Sequence, residues 1–184
     1  VVAYVHALFG AIVRISGSGM GCGEHWPDCN GALLPAMTST TVAVEVTHRY
    51  LAATLLVATV ALAVVGLARR RVDGVGGAGG VLRPSLLAVA LVACAALVGM
   101  IVVRLSLANP YVIALHYTIA MATLATLVVA AQRGGALGAA ALESSARAAS
   151  AKTYRGACAG AALAFVTVVL GALTANVPGA AASC

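Results

Sequence analysis

Glu45 and His48 stand three positions apart, so on a helix both side chains leave the same face within one turn. The surrounding stretch is strongly apolar, and an ionisable group held there is costly unless it has a partner or a task. A carboxylate shielded from water suits proton transfer or the stabilisation of a cation during a reaction. It also suits a plainer role as the ion-pair partner of Arg49 or another arginine. His116 lies in a separate apolar stretch, six residues after Pro110. Either each imidazole bonds a neighbouring carbonyl, or the two share a ligand. Matching depth on alternate helices favours a shared ligand. Two imidazoles facing each other across a four-helix bundle suit the axial positions of a haem iron. Zinc is less apt, because no third and fourth ligands lie nearby.

Cys22 and Cys29 flank Trp26-Pro27 in a polar segment between apolar runs. Outside the cytoplasm such a pair is free to form a disulfide. Closing so short a ring restricts the unfolded loop by roughly 2–3 kcal/mol in the chain-entropy description. The bridge is read either as structural or as a redox-active pair that passes electrons. Arg14, Arg49 and Arg104 fall near one membrane edge. A guanidinium fork suits carboxylates such as haem propionates, although snorkelling toward lipid headgroups explains any one of them equally well. His6, inside the first apolar run, reads as a core residue without a matched partner. His25 reads as solvated, and Cys94 and Cys158 as packing residues of apolar helices.

The elements that position these groups follow from composition. The 184 residues are 62% hydrophobic and 9% charged, with a mean hydropathy of +1.03. A soluble domain is about half apolar and a quarter charged, so water cannot host this fold. Small residues dominate, as where helices pack closely in lipid. The expected class is all-α, a polytopic membrane bundle with helices at 1–14, 42–68, 84–104, 110–131 and 156–175. The 1–131 region reads as a four-helix haem-binding bundle carrying a 15–41 loop, 132–155 as a link, and 156–184 as the first helix of a truncated second bundle. The first helix is short of the roughly 20 residues a span needs. Both ends are abrupt, as in an interior piece of a longer chain. Counting the ~1.5 Å rise per residue, His48 and His116 each sit roughly 9 Å along their helices from the same side.

The net charge of +6 does not mark a nucleic-acid binder, since no basic stripe interleaved with aromatics exists. Its Lys and Arg gather in two connectors, Arg69-Arg70-Arg71 with Arg83, and Arg133 with Arg147, Lys152 and Arg155. By the positive-inside tendency these links are cytoplasmic and the 15–41 loop lies outside, in a multi-pass membrane protein. A faint internal echo links Gly10-Ala-Ile-Val-Arg14 leading to Cys22 with Gly171-Ala-Leu-Thr174 leading to Cys184, as in a duplicated bundle.

Read together, Gly10 to Arg14, Ser16-Gly-Ser-Gly-Met-Gly-Cys22, Trp26-Pro-Asp-Cys29, Gly31 and Glu45-Val-Thr-His48-Arg49 resemble the haem A synthase family. Gly99 to Val103, Ala114-Leu-His116 and Ala120 add a softer block. The resemblance implies an eight-helix fold of two similar bundles and oxidation of a haem O methyl to the formyl of haem A, for cytochrome oxidase. It implies Glu45 as catalytic carboxylate, His48 and His116 as ligands of the substrate haem, and a Cys22–Cys29 loop disulfide. A b-type haem would belong to the second bundle, whose first Cys would be Cys184. Implied partners are haem O, haem O synthase, oxidase assembly factors and membrane lipid. Two other readings stand beside it. A non-catalytic b-haem electron carrier or assembly protein would need the histidines but not Glu45. A quinone-linked thiol oxidase would expect a Cys-x-x-Cys and has no use for histidines on alternate helices.

Overall fold

Side-chain caps start two of the helices. In the computed structural model, which describes residues 1–136, 151–177 and 179 and omits the side chains of 151 and 152, the elements are α1 (Val2–Ile15), α2 (Thr40–Ala68), α3 (Leu82–Arg104), α4 (Pro110–Arg133) and α5 (Ala151–Asn176). A single 3-10 turn, Ser18–Met20, lies in the loop after α1. Arg147, Cys184, most of the 132–155 link and the side chain of Lys152 lie outside the described residues.

The Ser39 hydroxyl accepts the Val42 N–H at 3.3 Å, which starts α2 two residues before its apolar run. Asn109 caps α4 by accepting from the N–H groups of Tyr111 at 3.0 Å and Val112 at 3.2 Å. Pro110 follows at the first helical position, where its missing donor costs nothing. Likewise α3 begins at Leu82, α4 runs on to Arg133 and α5 begins at Ala151. Apolarity ends where polar residues begin, but backbone hydrogen bonding continues until a cap or a turn stops it. Four helices, α2 to α5, are long and apolar enough to cross a membrane, and α1 is a shorter apolar helix.

The helices form a ring: α1 packs on α2, α2 on α3, α3 most extensively on α4, and α4 back on α1, while α5 lies against α4. Helices α2 and α4 therefore stand on a diagonal. Where α2 meets α3, Gly66 faces Leu82, whose Cδ1 would lie 3.1 Å from an added Cβ. Outward faces carry Val57, Val64, Leu87 and Leu97, all exposed. That pattern would be intolerable in water and is ordinary in lipid.

Side-chain hydroxyls inside the helices bond backward to their own backbone. Thr47 donates to the Ala43 carbonyl at 2.7 Å, Thr118 to Ala114 at 2.8 Å and Thr123 to Ile119 at 2.8 Å. Where no water is available, this local bond satisfies the hydroxyl. The 69–81 connector is folded tightly on itself, with Arg133 donating to the carbonyls of Ala78 at 3.4 Å and Gly80 at 3.3 Å. The two ends of the bundle are thus distinct: a loop end bearing residues 16–39, and an arginine end.

Candidate functional site

The loop end is sealed by a small buried cluster of Cys22, Cys29, Val42 and Val46. Cys22 and Cys29 form a disulfide with Cα atoms 4.7 Å apart. Reciprocal bonds between Cys29 and Ala32 close the turn beyond it. The Asp28 carboxylate accepts the Gly31 N–H at 2.8 Å and sits 3.5 Å from His25 Nδ1. His25 is mostly exposed, as expected. Gly21 crosses the first turn of α2 so closely that an added Cβ would lie 2.4 Å from the Thr41 carbonyl oxygen. Only glycine permits that approach.

Its neighbour Cys22 reaches the candidate chemistry directly. The Cys22 backbone N–H donates to Glu45 Oε2 at 2.8 Å, and Arg49 donates to Glu45 Oε1. Glu45 is buried, with only 5% of its side chain exposed. Arg49 also donates to the carbonyls of His25 at 2.8 Å, Pro27 at 3.4 Å and Asp28 at 2.6 Å. The Glu45–Arg49 pair expected as the plainer reading is therefore present. It is also more than a pair, because it ties α2 to the disulfide loop. Charge-assisted bonds of this kind are about twice as strong as neutral ones.

One turn further along α2, His48 points into the bundle, where its ring stacks on that of His6 from α1. The centroids are 4.4 Å apart and the planes 21° from parallel. An added Cβ at Gly10, one turn beyond His6, would lie 3.3 Å from His48 Nε2. His116 is matched similarly: a Cβ at Gly99 of α3 would lie 3.1 Å from its Cε1. His116 is within electrostatic reach of both His6 and His48. Among the described residues, the buried side-chain nitrogens and oxygens without a partner are His6 Nε2 and His116 Nδ1.

These imidazoles stand on three helices. With α2 starting at Thr40, His48 is about 12 Å along its helix and His116 about 9 Å along α4, both from the loop end. No group of three or more His, Cys, Asp or Glu side chains among the described residues is arranged to hold a metal ion. Haem asks less of the protein, because the porphyrin supplies four ligands and the chain only the axial ones. The absent side chains at Gly10 and Gly99 let the two rings pack directly against α1 and α3, and the buried, unpartnered His116 Nδ1 is the kind of atom an internal ligand would satisfy. An apolar cavity of ≈ 340 Å³ elsewhere in the bundle is lined by Val2, Leu55, Leu62, Leu124 and Val128 among others, and by none of the histidines.

Two expectations are corrected. His6 has a partner, because α1 packs directly on α2 and brings the two rings together. Cys94 and Cys158 are exposed on the outer faces of α3 and α5, so they face the surroundings of the bundle rather than its packing. Arg14 donates to the Ala175 carbonyl and, at 3.3 Å, to Asn176 Oδ1, fastening α1 to the end of α5. Arg104 ends α3 with its side chain exposed. The residues missed in the sequence are His6, Gly10 and Gly99 as ring neighbours. The spacing of four between His6 and Gly10, which puts both on one helix face, was the available signal.

A helical bundle of this composition, with four of the described helices long and apolar enough to span a bilayer, defines a polytopic helical membrane protein. The chain belongs to the cytochrome oxidase assembly protein family, whose sequence model matches residues 1–45 and 38–184. It is similar to the heme A synthase of Staphylococcus epidermidis, 35% identical over 114 residues, covering 62% of this chain and 36% of that one. The heme A synthase of Staphylococcus haemolyticus is 31% identical over 135 residues, 70% of this chain and 40% of that one. The protoheme IX farnesyltransferase of Thermus thermophilus is 56% identical over 43 residues, 23% of this chain and 7% of that one. The chain thus spans less than half the length of these curated relatives. No solved structure matches it.

Proposed function

We propose that this chain carries the substrate-haem bundle of a haem A synthase, which oxidises a porphyrin methyl of haem O to the formyl of haem A by way of the alcohol. The observation that carries this reading is the placement of His48 and His116 on diagonal helices, each ring against a glycine, with Glu45 one turn from His48. His48 and His116 would hold the substrate iron. Bound haem supplies the oxidisable ring substituent and an iron centre that exchanges electrons.

Everything else falls to the protein. The helices exclude water from the ring. Glu45 places a carboxylate one turn from His48, where it accepts a proton from, or stabilises positive charge on, the reacting carbon. The Cys22 N–H and Arg49 hold that carboxylate in one orientation and balance its charge. Arg104, exposed at the loop end, would take a propionate, whereas Arg14 and Arg49 would first have to leave their present acceptors. In this reading the Cys22–Cys29 bridge serves as a structural part, since it holds the backbone donor to Glu45. We also place the loop end outside a bacterial plasma membrane and the arginine end in the cytoplasm, by the distribution of Lys and Arg. A b-type haem, haem O synthase and assembly factors as partners belong to the same proposal.

The test is expression of the protein beside a haem O source, followed by haem extraction and chromatography, with Glu45→Gln in parallel. Haem A or its hydroxylated precursor should form with the unaltered protein, and its yield should fall roughly 100-fold or more in the variant while haem remains bound. Bound haem with no conversion by the unaltered full-length protein would remove the synthase reading and leave a haem carrier.

A further inference from the structure

His6 has no task in the chemistry proposed above, yet it occupies the interior of the bundle at the ring of a proposed ligand. Its ring lies nearly parallel to that of His48, at 4.4 Å between centroids. Its Nε2 is buried without a partner, in a bundle where Thr47, Thr118 and Thr123 all satisfy themselves on their own helices. A leucine would fill the position without leaving a polar atom unpaired, so packing alone does not account for an imidazole. The unpaired nitrogen also marks this corner as incomplete without an occupant.

Helix α1 acts on His48 twice. His6 covers one face of the ring, and Gly10, a turn further on, lets His48 Nε2 approach the α1 backbone, 3.3 Å from where a Cβ would stand. The near-parallel stack puts His6 beside His48, not opposite it, so His6 is not placed as the second axial ligand. That position is left to His116.

We propose that His6 is a positioning residue that fixes the ring plane of His48 by stacking, and so sets how this imidazole meets the iron of a bound haem. The proposal rests on the haem-binding reading above. A ligand ring held by a neighbour loses less freedom on binding, and groups that orient a metal ligand commonly contribute about 10- to 100-fold in affinity.

Hemin is the probe, titrated into this chain and its variants in detergent, with affinity read from the Soret band and ligand orientation from the largest g value of the low-spin ferric signal. His6→Phe keeps a stacking ring, and His6→Leu keeps apolar volume without one. The expected result is a g value and affinity close to the original for His6→Phe, with a shifted g value and roughly 10-fold weaker binding for His6→Leu. An original g value and affinity in His6→Leu would overturn the proposal, as would equal disturbance in both variants, which would make the nitrogen and not the ring the active feature. His48→Ala separates the two levels. If it abolishes the low-spin signal while His6→Leu changes nothing, haem binding stands and the role of His6 falls. If the unaltered chain gives no low-spin signal, both fall together.

Discussion

Arg49 is the residue on which the loop end depends most. It bonds Glu45 and reaches the carbonyls of His25, Pro27 and Asp28, so it neutralises a buried carboxylate and closes a loop with one planar group. Removing one member of a buried pair leaves the other charged and uncompensated, which costs roughly 3–5 kcal/mol. Arg49→Ala should accordingly lower the thermal unfolding midpoint in detergent markedly. Arg49→Lys should recover little of it, because an ammonium lacks the fork that spans carboxylate and carbonyls together. Full recovery by lysine would show that charge alone matters there. Of this arrangement, the i and i+4 spacing of Glu45 and Arg49 was legible in the sequence. The Cys22 N–H that completes it was not, since a contact across 23 positions depends on how the loop folds back.

At the scale of elements, glycines decide where helices and loops come together. Gly99→Ala improves helix propensity by roughly 1 kcal/mol, yet its Cβ would stand 3.1 Å from the His116 ring. The variant should therefore be as stable as the original, or more so, while its hemin affinity falls; a hemin titration beside a thermal melt reads both. Gly21→Ala behaves oppositely. Its Cβ would meet the Thr41 carbonyl at 2.4 Å, and helix backbone cannot yield as a side chain would. The loop should lift from α2, with a loss of roughly 1–3 kcal/mol and faster proteolysis within residues 16–39. Unchanged proteolysis would mean that the loop is held by the disulfide and Arg49 without this contact.

The whole molecule is organised by the asymmetry between its ends. Four apolar helices long enough to span join a compact loop end to an arginine end, and the proposed orientation follows from which end carries the basic residues. A direct check starts from a background with Cys94→Ser, Cys158→Ser and Cys184→Ser, into which Ala36→Cys or Gly77→Cys is introduced. A membrane-impermeant maleimide applied to intact cells should label the variant at position 36 at once and that at 77 only after permeabilisation. The reverse pattern would invert the orientation and place the disulfide loop in a reducing compartment.

Composition and local spacing alone determined that this is a helical membrane protein, where its helices lie to within a few residues, and that Glu45, His48 and Arg49 share one helix face. Those properties are local: a run of apolar side chains must meet lipid, and a helix repeats every ~3.6 residues wherever it sits. Tertiary structure alone decided the neighbours. It stacked His6 on His48, set Gly10 and Gly99 against the two rings, brought the Cys22 N–H to Glu45, and fastened Arg14 to the end of α5. Each of these joins residues of different elements, and such contacts are set by how helices cross and where a loop returns, which no spacing within one helix encodes.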